Sequence, residues 1–320
     1  MKRFSNILAV VNTGRNDVSA LRRAITLTNS NQASLTVVSF LEDLPADMWM
    51  STVAVSIEEI RDIAAAEELD RLKELVSAVG GERATIEKTV LVGRPFMEII
   101  HKVMQGNHDL VIKNAEPSEG VLEVFFGSTD MHLMRKCPCP VWIIKPGINQ
   151  FRRILACVDF DPGHPQNDAL NLRIIEIATS LAVAESSELH IIHALEEFGE
   201  RFLKYASIAN TIVELETAVD EQVKVRKRWM NTLLDEQLKS MGKEITDLPN
   251  FQLHLVKDRA KHAIPAKARK LDVDLIILGT VSRTGIPGYF IGNTSENILN
   301  QVQCSVLTVK PPGFVSPVTL

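Results

Sequence analysis

The residues best suited to hold an anion stand together at 279–295, where a β-branched run, Leu275–Leu278, gives way to a helical pattern, Ser295–Gln301. Gly279 lets the backbone turn sharply off a strand and approach a ligand closely. The turn Gly292-Asn293-Thr294-Ser295 opens the helix, where unpaired backbone N–H groups and two hydroxyls suit a phosphate. The same hydroxyls also serve as ordinary helix caps, and glycine-bearing strand-to-helix turns are common in α/β proteins. Phosphate cradle and plain turn both stand at this point.

Other chemistries are less well supported. His190 and His193 lie three apart on a predicted strand, on opposite faces, which is a poor arrangement for one metal ion. His254, on another strand of the same sheet, could neighbour one of them, and His132 stands near Cys137. Buried, hydrogen-bonded histidines are the expectation. Met48-Trp49-Met50 could line an apolar cleft or fill core, and Arg259 could meet phosphate or sit in a solvated loop. The cysteines at 137, 139, 157 and 304 form no CxxC pair, so buried reduced thiols are expected. No nucleophile elbow, Walker sequence or GxGxxG is present to signal acyl transfer, P-loop or dinucleotide chemistry.

These residues need a scaffold, and the chain repeats one. Phe4–Asn12 aligns without gaps on Phe151–Asp159, Asp109–Ile112 on Asp274–Ile277, and Val141–Pro146 on Val306–Pro311, in the same order. A duplicated domain follows, spanning 1–146 and 151–313 and joined by the short Pro146–Phe151 connector. Predicted strands in the first half are Ile7–Val11, Leu35–Phe40, Ile86–Val92, Leu110–Ile112 and Val141–Ile144. Those in the second are Ile154–Val158, Leu189–Ile192, Phe251–Val256, Leu275–Leu278 and Val306–Val309. Amphipathic stretches such as Val18–Thr28 and Ile57–Val79 lie between strands, which implies a parallel sheet covered on both faces. The second half's extra length, Phe198–Met241, reads as one or two long helices.

Composition bounds the partners. The chain has 320 residues, 45% of them hydrophobic and 23% charged, a globular balance long enough for two cores. A formal charge of −5 argues against nucleic acid, and no apolar run is long enough for a membrane span or rightly flanked for a secretion signal. A cytoplasmic setting is expected.

The repeat and the loop together resemble the universal stress protein family, in the tandem, E-type form found in bacteria. That family carries a nucleotide loop written G-x-x-G, nine residues, then G-[S/T]. Gly279 and Gly292 match its first and last glycines; Ser282 replaces the middle one, and Asn293 replaces the hydroxyl residue, with Thr294 and Ser295 behind it. The resemblance implies two tandem α/β domains of the doubly wound, adenine-nucleotide-hydrolase-like kind, each a five-stranded parallel sheet ordered 3-2-1-4-5. It also implies an adenine contact from Asp159, and base and ribose contacts from Ala194 and Leu278. Strands one and four adjoin at the switch point of such a sheet, so Asp159 and Gly279 would face one crevice. In the first half, Asn12 replaces the Asp and Lys113-Asn114-Ala115-Glu116 replaces the glycine turn. There Gly127-Ser128 reads as one residue late, so this half is expected to be structural.

The resulting expectation is a stress-response protein whose second half binds ATP or another nucleotide, supporting survival under starvation, oxidants or DNA damage, without a defined catalytic residue. Alternatives are a carrier or scaffold holding a nucleotide-linked or acyl metabolite, read by regulatory protein partners, and a slow ATPase. The two halves are expected to pair as a pseudo-dimer through their fifth strands, and a further homodimer is compatible with that.

Overall fold

A computed structural model describes residues 4–15, 17–41, 57–80, 86–116, 126–160, 168–195, 212–244, 248, 250–280 and 292–320. The β-branched runs form the strands and the amphipathic stretches the helices. The first half runs β1 (Asn6–Val10), α1 (Ser19–Asn31), β2 (Ser34–Leu41), α2 (Ile57–Ala78), β3 (Ile86–Val92), α3 (Pro95–Gly106), β4 (Leu110–Asn114), α4 (Ser128–Lys136) and β5 (Val141–Ile144). The second runs β6 (Arg153–Cys157), α5 (Asp168–Glu185), β7 (Glu188–Leu195), α6 (Ile212–Ser240), β8 (Gln252–Lys257), α7 (Ala260–Leu271), β9 (Leu275–Gly279), α8 (Asn293–Leu299) and β10 (Ser305–Val309). The chain falls into two compact units, one built on Met1–Asn149 and including Phe314–Leu320, the other built on Gln150–Gly285 and including Phe290–Gly313.

Each half is the expected doubly wound α/β sheet. The strand order is β3-β2-β1-β4-β5 in the first and β8-β7-β6-β9-β10 in the second, 3-2-1-4-5 in both, and the pairings within each half are parallel. Strands at the centre bury both faces: Ile7, Leu8, Ala9, Leu110, Val111 and Ile112 are inaccessible, as are Ile154, Leu155, Ala156, Leu275, Ile276 and Ile277. This is why they read as continuous apolar runs rather than alternating ones.

The duplication extends to polar fastenings. Asp109 accepts the backbone N–H groups of Ser5 and Asn6, and Asp274 accepts those of Arg152 and Arg153, tying the start of strand one to that of strand four in each half. Asn107 and Asp272 both end the preceding helix in the left-handed conformation, which short polar side chains tolerate.

One helix contains a fault and its repair. Pro265 stands inside α7, where it has no N–H for the carbonyl four residues back, Lys261. The Gln301 amide donates to that carbonyl at 3.1 Å.

Two expectations need correction. The helix predicted from Ser295 begins at Asn293, so Asn293, Thr294 and Ser295 form its first turn. Gly127 is not late: it precedes Gly292 by 165 residues (292 minus 127), the offset that separates β4 from β9 and β5 from β10, and the two glycines are the N-caps of α4 and α8. The predicted long-helix region contains α6, 29 residues, and residues 198–211 lie outside the described part.

Candidate functional site

Parallel register brings the predicted residues of the second half to one end of the sheet. Ala156 pairs with Ile277 across β6–β9, and Cys157 with Ile192 across β6–β7. Three residues beyond Ala156, Asp159 therefore comes level with Thr280 on one side and Ala194 on the other, past the carboxyl ends at the switch point where α/β sheets take ligands. Asp159 and Ala194 are partly exposed. Asn171 of α5, itself buried, fixes the backbone at Asp159: its Oδ1 accepts the Asp159 N–H at 3.0 Å and its Nδ2 donates to the Asp159 carbonyl at 2.8 Å. Leu278 differs, because its side chain is buried in the core and only its main chain borders the strand end.

The loop is pinned at both ends. Gly292 N–H donates to the Thr280 carbonyl at 3.1 Å, and Ser295 Oγ donates to the Gly279 carbonyl at 2.8 Å. Buried Lys310 donates to the Thr280 hydroxyl. The Ser295 hydroxyl is thus committed to the Gly279 carbonyl, whereas Asn293 and Thr294 are exposed on the first turn of α8, whose N-cap, Gly292, has no side chain to cap it. The two glycines need no left-handed backbone. Neither adopts a positive φ; Gly292 has φ −61°. A Cβ on Gly279 would lie 2.7 Å from Leu170 Cδ2 of α5, so this glycine admits a packing helix. Ser282 lies outside the described residues.

Beside Asp159 stands a group that sequence reasoning missed. Phe160 packs on Trp229 of α6 with ring centroids 5.0 Å apart, the Arg226 guanidinium lies 5.2 Å from the Phe160 centroid, and His193 of β7 meets Trp229 edge-on. Buried His193 places Nδ1 3.2 Å from the Val158 carbonyl and 3.4 Å from the Phe160 N–H, and a neutral ring can serve only one of them at a time. Burial pushes its pKa down to about 4 against a weaker upward pull from the Val158 carbonyl, so the ring is neutral. His193 Nε2 and Trp229 Nε1 are buried without a hydrogen-bond partner among the described residues. Trp229 lies on α6, the 29-residue counterpart of the 22-residue α2, where only an aromatic among charges signalled it.

At the corresponding place in the first half the polar side chains bond the main chain or one another. Asn12 Oδ1 accepts the Gly14 N–H at 3.0 Å, and Asn114, at the place of Gly279, accepts the Ala20 N–H at 2.7 Å. Lys113 bonds both Asp130 and Glu116.

Remaining candidates stay apart from this place. His190 and His254 meet each other at 3.1 Å, and burial depresses both pKa values, His254 to about 4. Among the described residues no group of three His, Cys, Asp or Glu could hold a metal. His132 stacks on Phe96. All four cysteines are buried thiols outside any disulfide. Arg259 is exposed past the end of β8, with β7 and β6 between it and β9. Met48, Trp49 and Met50 lie outside the described residues. No helix among the described residues is long and apolar enough to cross a membrane.

Comparison with known proteins gives the same division of the chain. A family model, the Universal stress protein family, matches residues 3–145 and again 150–310. Universal stress protein E of Salmonella typhi is 28% identical over 326 residues, covering 100% of this chain and 98% of that protein. The Haemophilus influenzae homolog of universal stress protein E is 24% identical over 97% of this chain and 98% of its own. Among solved structures, a Pseudomonas aeruginosa UCBPP-PA14 protein superposes with a TM-score of 0.69 at 24% identity, covering 97% of this chain and 94% of that one. A universal stress protein from Archaeoglobus fulgidus DSM 4304 gives 0.58 at 19%, covering 95% and 98%.

Proposed function

The chain belongs to the universal stress protein family in both of its halves, and from that premise we propose that it is a cytoplasmic stress-response protein whose second half binds ATP or a related nucleotide. Asp159 accepts the adenine amino group, the main chain at Ala194 and Leu278 borders base and ribose, and Gly279, Ser282, Gly292 and the first turn of α8, Asn293 to Ser295, receive the phosphates, Ser295 through its main-chain N–H. The observation that carries this reading is the meeting of Asp159, Ala194 and Gly279–Thr280 at one switch point, with the Asp159 backbone fixed by Asn171. The action assigned is binding, so that ligand occupancy reports a metabolic state and supports survival under starvation, oxidants or DNA damage.

A second reading has its own support. The Phe160–His193–Trp229 group beside Asp159, with two buried polar atoms left over, favours a ligand extending beyond a mononucleotide, as in a carrier of a nucleotide-linked metabolite. Native mass spectrometry of freshly purified protein separates the readings. Co-purified ATP, or a mass shift on adding ATP that Asp159→Ala abolishes, supports the first; a heavier bound conjugate supports the second. A folded protein that takes up neither removes both.

A further inference from the structure

A buried charge cluster in the first half has neutral counterparts in the second. Lys113 is the fourth residue of β4 and is buried. Its Nζ bonds Asp130 Oδ1 and lies 2.9 Å from Glu116 Oε1. Asp130, fully buried in the first turn of α4, accepts the Glu116 backbone N–H on its other oxygen at 2.9 Å. Its carboxylate therefore has an ammonium, a main-chain N–H leaving strand four, and a helix N-terminus around it, the set of partners that receives a phosphate at a loop-to-helix junction. At the same 165-residue offset the second half carries Leu278 for Lys113, Val281 for Glu116 and Ser295 for Asp130. Ser295 instead bonds the Gly279 carbonyl.

We propose that Asp130 is a built-in anion: it occupies the first half's loop-to-helix anion site with the chain's own carboxylate, and so closes this half to phosphate-bearing ligands. Lys113 remains as the cation of that site, and Glu116, 40% exposed, forms its solvent side. Removing the carboxylate takes away the buried one of the two carboxylates that hold the Lys113 ammonium, leaving the 40% exposed Glu116, and an added anion can take the vacated place. The comparison with the second half rests on the nucleotide reading, whereas the chemistry of Asp130 does not.

The test uses the full chain and inorganic phosphate, followed by thermal unfolding at constant ionic strength. Phosphate salts stabilise most proteins by exclusion, so each response is read against the unsubstituted chain. Asp130→Ser should unfold at a lower temperature, and phosphate should raise its Tm along a saturating curve, with an apparent affinity at least about ten-fold tighter than that of the unsubstituted chain. Adding Lys113→Met should abolish that extra response. If the serine variant does not fold, D130A, which likewise vacates the carboxylate's place and favours the helix, should show the same Lys113-dependent response. A folded Asp130 variant that responds to phosphate as the parent does, or a response that survives Lys113→Met, overturns the proposal. Repeating the series with Asp159→Ala keeps the outcome independent of nucleotide binding in the second half.

Discussion

Asp159 and Asn12 hold matching places at the ends of β6 and β1, and their chemistry separates the two halves. A carboxylate accepts a charge-assisted hydrogen bond from a base amino group, which the neutral Asn12 amide cannot match, and Asn12 Oδ1 accepts the Gly14 N–H. Asp159→Ala is expected to weaken ATP binding by roughly 1.5–3 kcal/mol, and Asn12→Ala to leave it unchanged, by titration calorimetry. His193 supplies a prediction about acid stability. Its folded pKa of about 4 lies below the ordinary 6.5, so the unfolded chain binds the proton more readily. Its contribution is complete above pH 6.5 and is lost as the pH falls towards 4, with an upper bound on the order of 3 kcal/mol. Urea unfolding across that window should give a shallower fall in stability for His193→Gln than for the parent; identical slopes would remove His193 from the account.

At the scale of elements, the α7 repair is testable. Gln301→Leu leaves the Lys261 carbonyl without its donor and should cost about 1 kcal/mol in thermal unfolding, while an unchanged Tm would mean that water serves equally well. The same scale explains what the sequence could and could not say. Both sheets were legible because central parallel strands must be apolar on both faces, and Asp109 and Asp274 marked equivalent strand starts. Helix α8, read as Ser295–Gln301, was placed two residues too late at both ends, and its N-cap is Gly292, whose lack of a capping side chain leaves the start unmarked. Gly279 looked like a device for turning the chain, but a glycine admitted for Leu170 has the same spelling as one admitted for a ligand. The Lys113–Asp130 pair escaped notice because its partners stand 17 residues apart and meet only once α4 is docked on the sheet.

For the whole molecule, duplication followed by divergence predicts one nucleotide for each chain of 320 residues rather than two. The second half keeps Asp159 and has Leu278, Val281 and Ser295 at the positions where the first has Lys113, Glu116 and Asp130. Ser282→Gly with Asn293→Ser restores the family's loop residues and should tighten ATP if those two side chains only loosen the site. If they retune it for another ligand, the double variant should instead lose whatever co-purifies, seen by native mass spectrometry. The most direct test of the central claim is titration calorimetry of ligand-free protein with ATP, run on the parent, Asp159→Ala and Asn12→Ala. The account predicts a stoichiometry near one per chain, abolished or strongly weakened by Asp159→Ala and preserved in Asn12→Ala. Two sites per chain, equal losses in both variants, or no binding by the folded parent would contradict it.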